Sequence, residues 1–145
     1  MVGTAIVIDS EWGYRDGRRD CETAIEPIIL CARKLPSCED FSFWRLDDRL
    51  ARFVGDNSDA VFVAHSATAE MKFLLRMGIS LPPYWFDTLV AHRFVQNQPG
   101  RLEASLVAAL NAAGLSSLIP HNKEAIRNQI LNLAFGDADI PAIES

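Results

Sequence analysis

The segment Ala5-Ile6-Val7-Ile8-Asp9-Ser10-Glu11 constrains this chain more than any other, because four apolar residues run directly into two carboxylates at i and i+2. Side chains alternate in a strand, so Asp9 and Glu11 share a face and aim two negative charges at one patch of space. Like charges held that close are relieved by a bound cation or by a raised pKa. Two readings are open at this point: the start of a divalent-metal site, or a strand end entering a polar turn.

A length of 145 residues suits one domain with a single core, here residues 1–145. No apolar run approaches the roughly 18 to 20 residues that a membrane helix needs. The opening Met1-Val2-Gly3-Thr4 lacks a basic patch, and the apolar segment behind it is short and ends in acids, unlike a signal peptide. The expectation is a soluble, cytoplasmic (intracellular) protein with no membrane partner. Three cysteines, Cys21, Cys31 and Cys38, are an odd number at spacings that fit no zinc pattern, so reduced thiols are expected. The formal net charge of -5 argues against a protein that grips nucleic acid by bulk positive charge. It leaves room for a nucleic acid enzyme, whose carboxylate site adds negative charge that metals offset. Arg15, Arg18 and Arg19 cluster just after the acidic pair, where a solvated turn explains them.

The pattern predicts the following elements in order. Trp12 to Asp20 is a loop or wide turn, and Ala24 to Leu35 is a second strand that Pro27 interrupts, as at an edge or a bulge. Phe41 to Leu46 makes a third strand, completing an antiparallel meander. A short helix over Asp47 to Val54 stops at Gly55. Ala60-Val61-Phe62-Val63-Ala64 is the continuous apolar run of a strand buried on both faces, and therefore parallel to its neighbour. A helix from about Ala67 to Met77 follows, closed by Gly78. Tyr84-Trp85-Phe86 forms a strand, and Asp87-Thr88 caps a helix over Leu89 to Val95. Helical spacing returns from Leu102 to Ala113 and again from Lys123 to about Ala134, the latter with Ile126, Ile130, Leu133 and Ala134 on one face.

In the helix that begins near Ala67, Glu70 falls on the stripe of Phe73, Leu74 and Met77, while Lys72 and Arg76 fall on the other side. An acid on the buried stripe needs a cation or hydrogen-bond donors. The element order indicates an α/β architecture, a mixed sheet with helices packed on it. Sites in such sheets lie at the carboxyl ends of the strands. If the first and fourth strands are adjacent and parallel, Asp9, Glu11 and Glu70 converge.

These residues resemble the DnaQ-like 3'-5' exonucleases of the ribonuclease H fold, and within them the exonuclease domains of polymerase I-type DNA polymerases. Ile6-Val7-Ile8-Asp9-Ser10-Glu11 is similar to the family's first motif, an apolar strand ending in Asp-x-Glu. Val63-Ala64-His65-Ser66-Ala67-Thr68-Ala69-Glu70 is similar to the second, in which His-Asn-x-x-Phe-Asp follows an apolar strand. Phe86-Asp87-Thr88-Leu89 and Leu102-Glu103-Ala104-Ser105-Leu106 resemble downstream helices of polymerase-type members. The resemblance implies a ribonuclease H-like sheet of order 3-2-1-4-5, a three-strand antiparallel meander plus two parallel strands. It also implies two Mg²⁺ or Mn²⁺ ions, a single-stranded DNA 3' end as substrate and a polymerase domain on the C-terminal side. Asp9 would bridge both metals, Glu11 would hold the ion that activates water, and Glu70 would complete the shell. His65, Ser66, Lys123 and Arg127 would contact substrate.

The departures are specific. Ser66 stands where the family has Asn, Ala69 where it has Phe, and Glu70 where it has Asp. The third motif, a Tyr or His followed by an Asp, has no counterpart: no Tyr follows Tyr84, and His121 is followed five positions later by Ile126. The expectation is a domain incomplete at its C-terminus, weakly active or inactive as it stands, with the missing motif beyond Ser145. The rival expectation is a non-catalytic module of the same fold that supports a polymerase or guides DNA. A glycosidase-like acid pair is set aside, because carboxylates at i and i+2 of one strand do not flank a substrate bond. His92 and His121 show no ligand spacing, and Trp12, Trp44 and Trp85 suit core packing better than base stacking.

Overall fold

The computed structural model describes residues 3–14, 25–45, 47–96, 105–115 and residue 125. Five strands, β1 (Ala5–Tyr14), β2 (Ile25–Leu35), β3 (Glu39–Trp44), β4 (Val61–Ala64) and β5 (Trp85–Asp87), form one sheet of order β3-β2-β1-β4-β5. β1, β2 and β3 pair antiparallel, while β4 runs parallel to both β1 and β5. This is the ribonuclease H-like arrangement expected from the sequence. The helices are α1 (Arg49–Asp56), α2 (Ala67–Arg76), α3 (Thr88–Gln96) and α4 (Leu106–Ala112).

Alternation along the strands sends Ile6, Ile8, Leu30, Ala32, Phe43, Phe62 and Ala64 to one face, where they are buried. The two crossovers, β3 to β4 and β4 to β5, both carry the chain onto this face, as right-handed connections moving the same way across a sheet must. α1 covers β2 and β3 there: Leu50 and Val54 are buried, and the Phe53 ring lies 4.8 Å from Phe41 and 5.0 Å from Phe43. α2 covers β1 and β4 with Ala67, Phe73 and Leu74, and Phe73 meets Trp12 edge to face at 5.4 Å. Burying side chains of this size contributes about 1.5 to 3 kcal/mol each. On the opposite face Val7, Asp9, Cys31, Arg33, Val61 and Phe86 are exposed.

The bulge expected at Pro27 is present, and two local differences from the sequence reading have physical causes. β2 is an internal strand, and it accommodates Pro27 through a bulge: Glu11 pairs with Ile29 but Trp12 pairs with Pro27, leaving Ile28 as the extra residue. β3 begins at Glu39 rather than Phe41, because the cross-strand pairs Arg33 with Asp40 and Lys34 with Glu39 extend the hairpin. α1 runs through Gly55 to Asp56, since the buried stripe Leu50-Val54 sustains it past the glycine. At its end Asn57 donates from its side chain to the Phe53 carbonyl at 2.8 Å. Gly78 does follow α2 in the left-handed conformation, with φ 71°.

Candidate active site

β4 pairs with β1 only over Ala5–Val7 and stops at Ala64, whereas β1 continues to Tyr14. Asp9, Ser10 and Glu11 therefore border a notch at the carboxyl end of β4, which is where open sheets of this kind place their sites. The chain leaving β4 passes the notch through His65 and Ser66 and enters α2.

Ser10 shares its side of β1 with Ile8 and Trp12, facing α2, and accepts a hydrogen bond from Trp12 Nε1 at 3.1 Å. Glu70, in the first turn of α2, is buried, with 3% of its surface accessible. Its carboxylate accepts hydrogen bonds from the Ser10 hydroxyl and backbone N–H. Among the described residues its Oε2 has no hydrogen-bond partner. Burial is the main force pushing the Glu70 pKa up to about 7, and repulsion from Asp9 and Glu11 adds to it against the opposing Ser10 bonds. At neutral pH this carboxyl is close to half protonated. Asp9 and Glu11 alternate with Ser10 and project from the other side of the strand, Asp9 exposed and Glu11 half-buried.

The structure thus brings Glu70 onto β1 within electrostatic reach of Asp9 and Glu11, but holds it to Ser10 between them. Among the described residues no group of three or more His, Cys, Asp or Glu is disposed to hold a metal ion. The donor chemistry, carboxylate oxygens with one buried oxygen unpartnered, suits a hard divalent cation. The grouping does not, because Glu70 and the Asp9-Glu11 pair lie on opposite sides of the strand.

His65 is half-buried, its Nδ1 3.0 Å from Thr88 Oγ1, which lies 3.3 Å from the Ala64 carbonyl oxygen. The Ala64 carbonyl can only accept, so the Thr88 hydroxyl donates to it, and Thr88 also pairs with His65 Nδ1 in the direction the ring tautomer sets. Ser66 sits in the left-handed region, with φ 72° and ψ 61°. Its backbone N–H donates to Asp87 Oδ1 at 3.1 Å, and that of Ala67 to Oδ2 at 2.9 Å. Asp87 Oδ1 also accepts from Leu89 N–H at 2.8 Å and Val90 N–H at 3.2 Å. One carboxylate therefore caps both α2 and α3. Burial would raise its pKa, yet these four donors hold it below the ordinary carboxylate value. Lys123 and Arg127 lie outside the described residues.

Two residues escape sequence reasoning. Ser10 is the middle residue of Asp-x-Glu, and its parity with Ile6 and Ile8 is the signal that it faces a helix. Asp87 is legible as the cap of α3, but nothing local in the sequence shows its bond to α2, twenty residues earlier. Cys31 pairs with Asp9 across β1 and β2. Desolvation, then Asp9, Glu11 and Asp40, push its thiol pKa up, which makes it a poor nucleophile. No described helix is long and apolar enough to cross a membrane.

Neither a family model nor a curated protein sequence matches this chain. Among solved structures it is similar to the EXO domain of Aedes aegypti Nibbler, with a TM-score of 0.50 at 13% identity, over 88% of this chain and 72% of that one. At this identity the likeness is one of fold: a ribonuclease H-like sheet shared with an exonuclease domain.

Proposed function

We propose that this chain is a DnaQ-like 3'-5' exonuclease domain that hydrolyses phosphodiester bonds at single-stranded DNA ends, in the context of a polymerase I-type DNA polymerase. The observation that carries the reading is Glu70, an acid buried on the core stripe of α2 and held at the Asp9-Ser10-Glu11 strand end with one oxygen unpartnered. The fold shared with the Nibbler EXO domain supports it.

Asp9 and Glu11 would hold Mg²⁺ or Mn²⁺ at the end of β1, and Glu70, on the other side of the strand, would act on that site through its charge. Such ions would supply a lowered pKa for the attacking water and charge stabilisation for the leaving 3'-oxygen. His65 and Ser66, at the mouth of the notch, would meet the terminal nucleotide, and Lys123 and Arg127 would pair with its phosphates. The αL backbone at Ser66 and the Thr88 bond to His65 fix both residues rigidly at the strand end.

A second reading is a non-catalytic module of the same fold. It is favoured by the Ser10 bonds, which satisfy part of Glu70 without a cation, and by the incomplete grouping of the three acids. The test is incubation of the full chain with 5'-labelled single-stranded DNA, and RNA in parallel, in Mn²⁺. The expected result is weak, EDTA-sensitive 3' trimming that Asp9→Asn abolishes. Trimming no greater than that of Asp9→Asn, from folded protein that also binds no Mn²⁺ through Asp9 and Glu11, overturns the nuclease reading and leaves the module.

A further inference from the structure

We propose, resting on the exonuclease reading, that Thr88 is a positioning residue for the candidate site: its hydroxyl holds the His65 ring, through Nδ1, in the orientation from which that ring meets the terminal nucleotide. Only His65 and Ser66 lie between β4, which ends at Ala64, and α2, which begins at Ala67. So short a turn is aimed by what lies beside it. β5 runs parallel to β4 with Asp87 opposite Ala64, so the next residue, Thr88, comes level with His65. The Thr88 hydroxyl oxygen lies 3.0 Å from His65 Nδ1 and 3.3 Å from the Ala64 carbonyl oxygen. One atom thus ties the ring to the end of the strand.

This hydroxyl is not needed by its own helix. Side-chain oxygens at helix starts commonly accept from the first N–H groups. In α3 that task falls to Asp87, which accepts from Leu89 N–H at 2.8 Å and from Val90 N–H at 3.2 Å. α2 is served in the same way: Ser66, its N-cap residue, makes no capping bond with its side chain, and Asp87 accepts from the N–H groups of Ser66 and Ala67. The carboxylate therefore accounts for both helix starts, and the Thr88 hydroxyl is directed across to the β4 turn. Threonine suits this task because branching at Cβ restricts χ1, so the hydroxyl is in place before any ligand arrives. A ring with one nitrogen bonded to a fixed atom loses its freedom to turn, an ordering cost that a substrate contact otherwise bears.

The experiment compares Thr88→Val, which keeps the shape and removes the hydroxyl, with Thr88→Ser, which keeps the hydroxyl. Thr88→Ala is run alongside as a second removal that adds no methyl group in the hydroxyl's place. Long-range proton–nitrogen correlation spectra of the full chain at pH 9, where an imidazole is neutral, report the ring nitrogens, and His65→Gln identifies the His65 signals. The expected result is one dominant His65 tautomer in the parent and in Thr88→Ser. In Thr88→Val and Thr88→Ala both nitrogens are expected to move toward the averaged values of free imidazole. In Mn²⁺-dependent trimming the two removals are expected to raise KM for the oligonucleotide roughly 2- to 10-fold, the ratio that one ordinary hydrogen bond sets, with little change in kcat. Thr88→Ser is expected to recover the parent KM. His65 signals unmoved by both removals, or a KM unchanged in a chain that trims, overturn the proposal. A parent chain that does not trim counts against the exonuclease reading alone, and the ring spectra still decide whether Thr88 holds His65.

Discussion

Glu70 is hydrogen-bonded to both the hydroxyl and the backbone N–H of Ser10, so the acid on α2 is tied to the one residue that separates Asp9 from Glu11. The Ser10 hydroxyl is a side-chain bond to a buried, partly charged group. Ser10→Ala is expected to lower stability by about 1 to 2 kcal/mol at pH 8, where Glu70 is ionised, and by less at pH 5. Urea unfolding at the two pH values checks it. An equal loss at both shows that the hydroxyl does not act on the charge.

The raised Glu70 pKa makes a signed prediction for metal-free protein. The folded state holds this proton up to about pH 7, whereas the unfolded chain releases it near 4.5, so the native state binds more protons between those values. Stability is therefore highest below pH 4.5 as far as this group is concerned, falls as pH rises to 7, and then levels. The total is on the order of 2 to 4 kcal/mol. Asp87 acts in the opposite sense and in a separate window, since its depressed pKa contributes stability above the ordinary carboxylate value that is lost on acidification. Glu70→Gln keeps the shape and removes the titration, so its urea midpoint, measured in EDTA, is expected to stay flat between pH 5 and 8 where the parent declines.

Asp87 joins two helix N-termini that are far apart in sequence. Asp87→Ala is expected to cost about 2 to 3 kcal/mol, the loss of two caps rather than one. Asp87→Asn, which keeps one acceptor oxygen, is expected to fall between. Denaturation midpoints of the three proteins decide; a loss below about 1 kcal/mol for the alanine variant would mean that one of the caps contributes nothing.

Ser66 holds φ 72°, a conformation that Asn and Gly tolerate better than Ser. Ser66→Asn is expected to raise stability by about 0.5 to 1 kcal/mol and Ser66→Val to lower it. Thermal melting gives both signs, and stabilisation by Val would rule out the backbone argument.

Much of this architecture is legible in the amino-acid sequence alone. The apolar run Ala60 to Ala64 announces a parallel strand, and the 100° spacing of Glu70, Phe73, Leu74 and Met77 places an acid in the core, because both patterns follow from strand and helix geometry alone. Pro27 signals a bulge without saying which residue is extra, since that depends on how β1 pairs. The partner of Glu70 is not legible. Asp-x-Glu draws the eye to its charges, yet strand parity turns Asp9 and Glu11 away from α2 and leaves Ser10 to meet Glu70. Asp87 shows the same limit, for its second helix is reached only through the fold.

Isothermal titration of Mn²⁺ into the full chain at pH 8, compared with the Asp9→Asn/Glu11→Gln double variant, tests the central claim that these acids form a metal site. The account predicts binding in the parent chain that the double variant loses, and that weakens at pH 6 as Glu70 takes up its proton. Equal affinity in both proteins, or no binding in either, would contradict it.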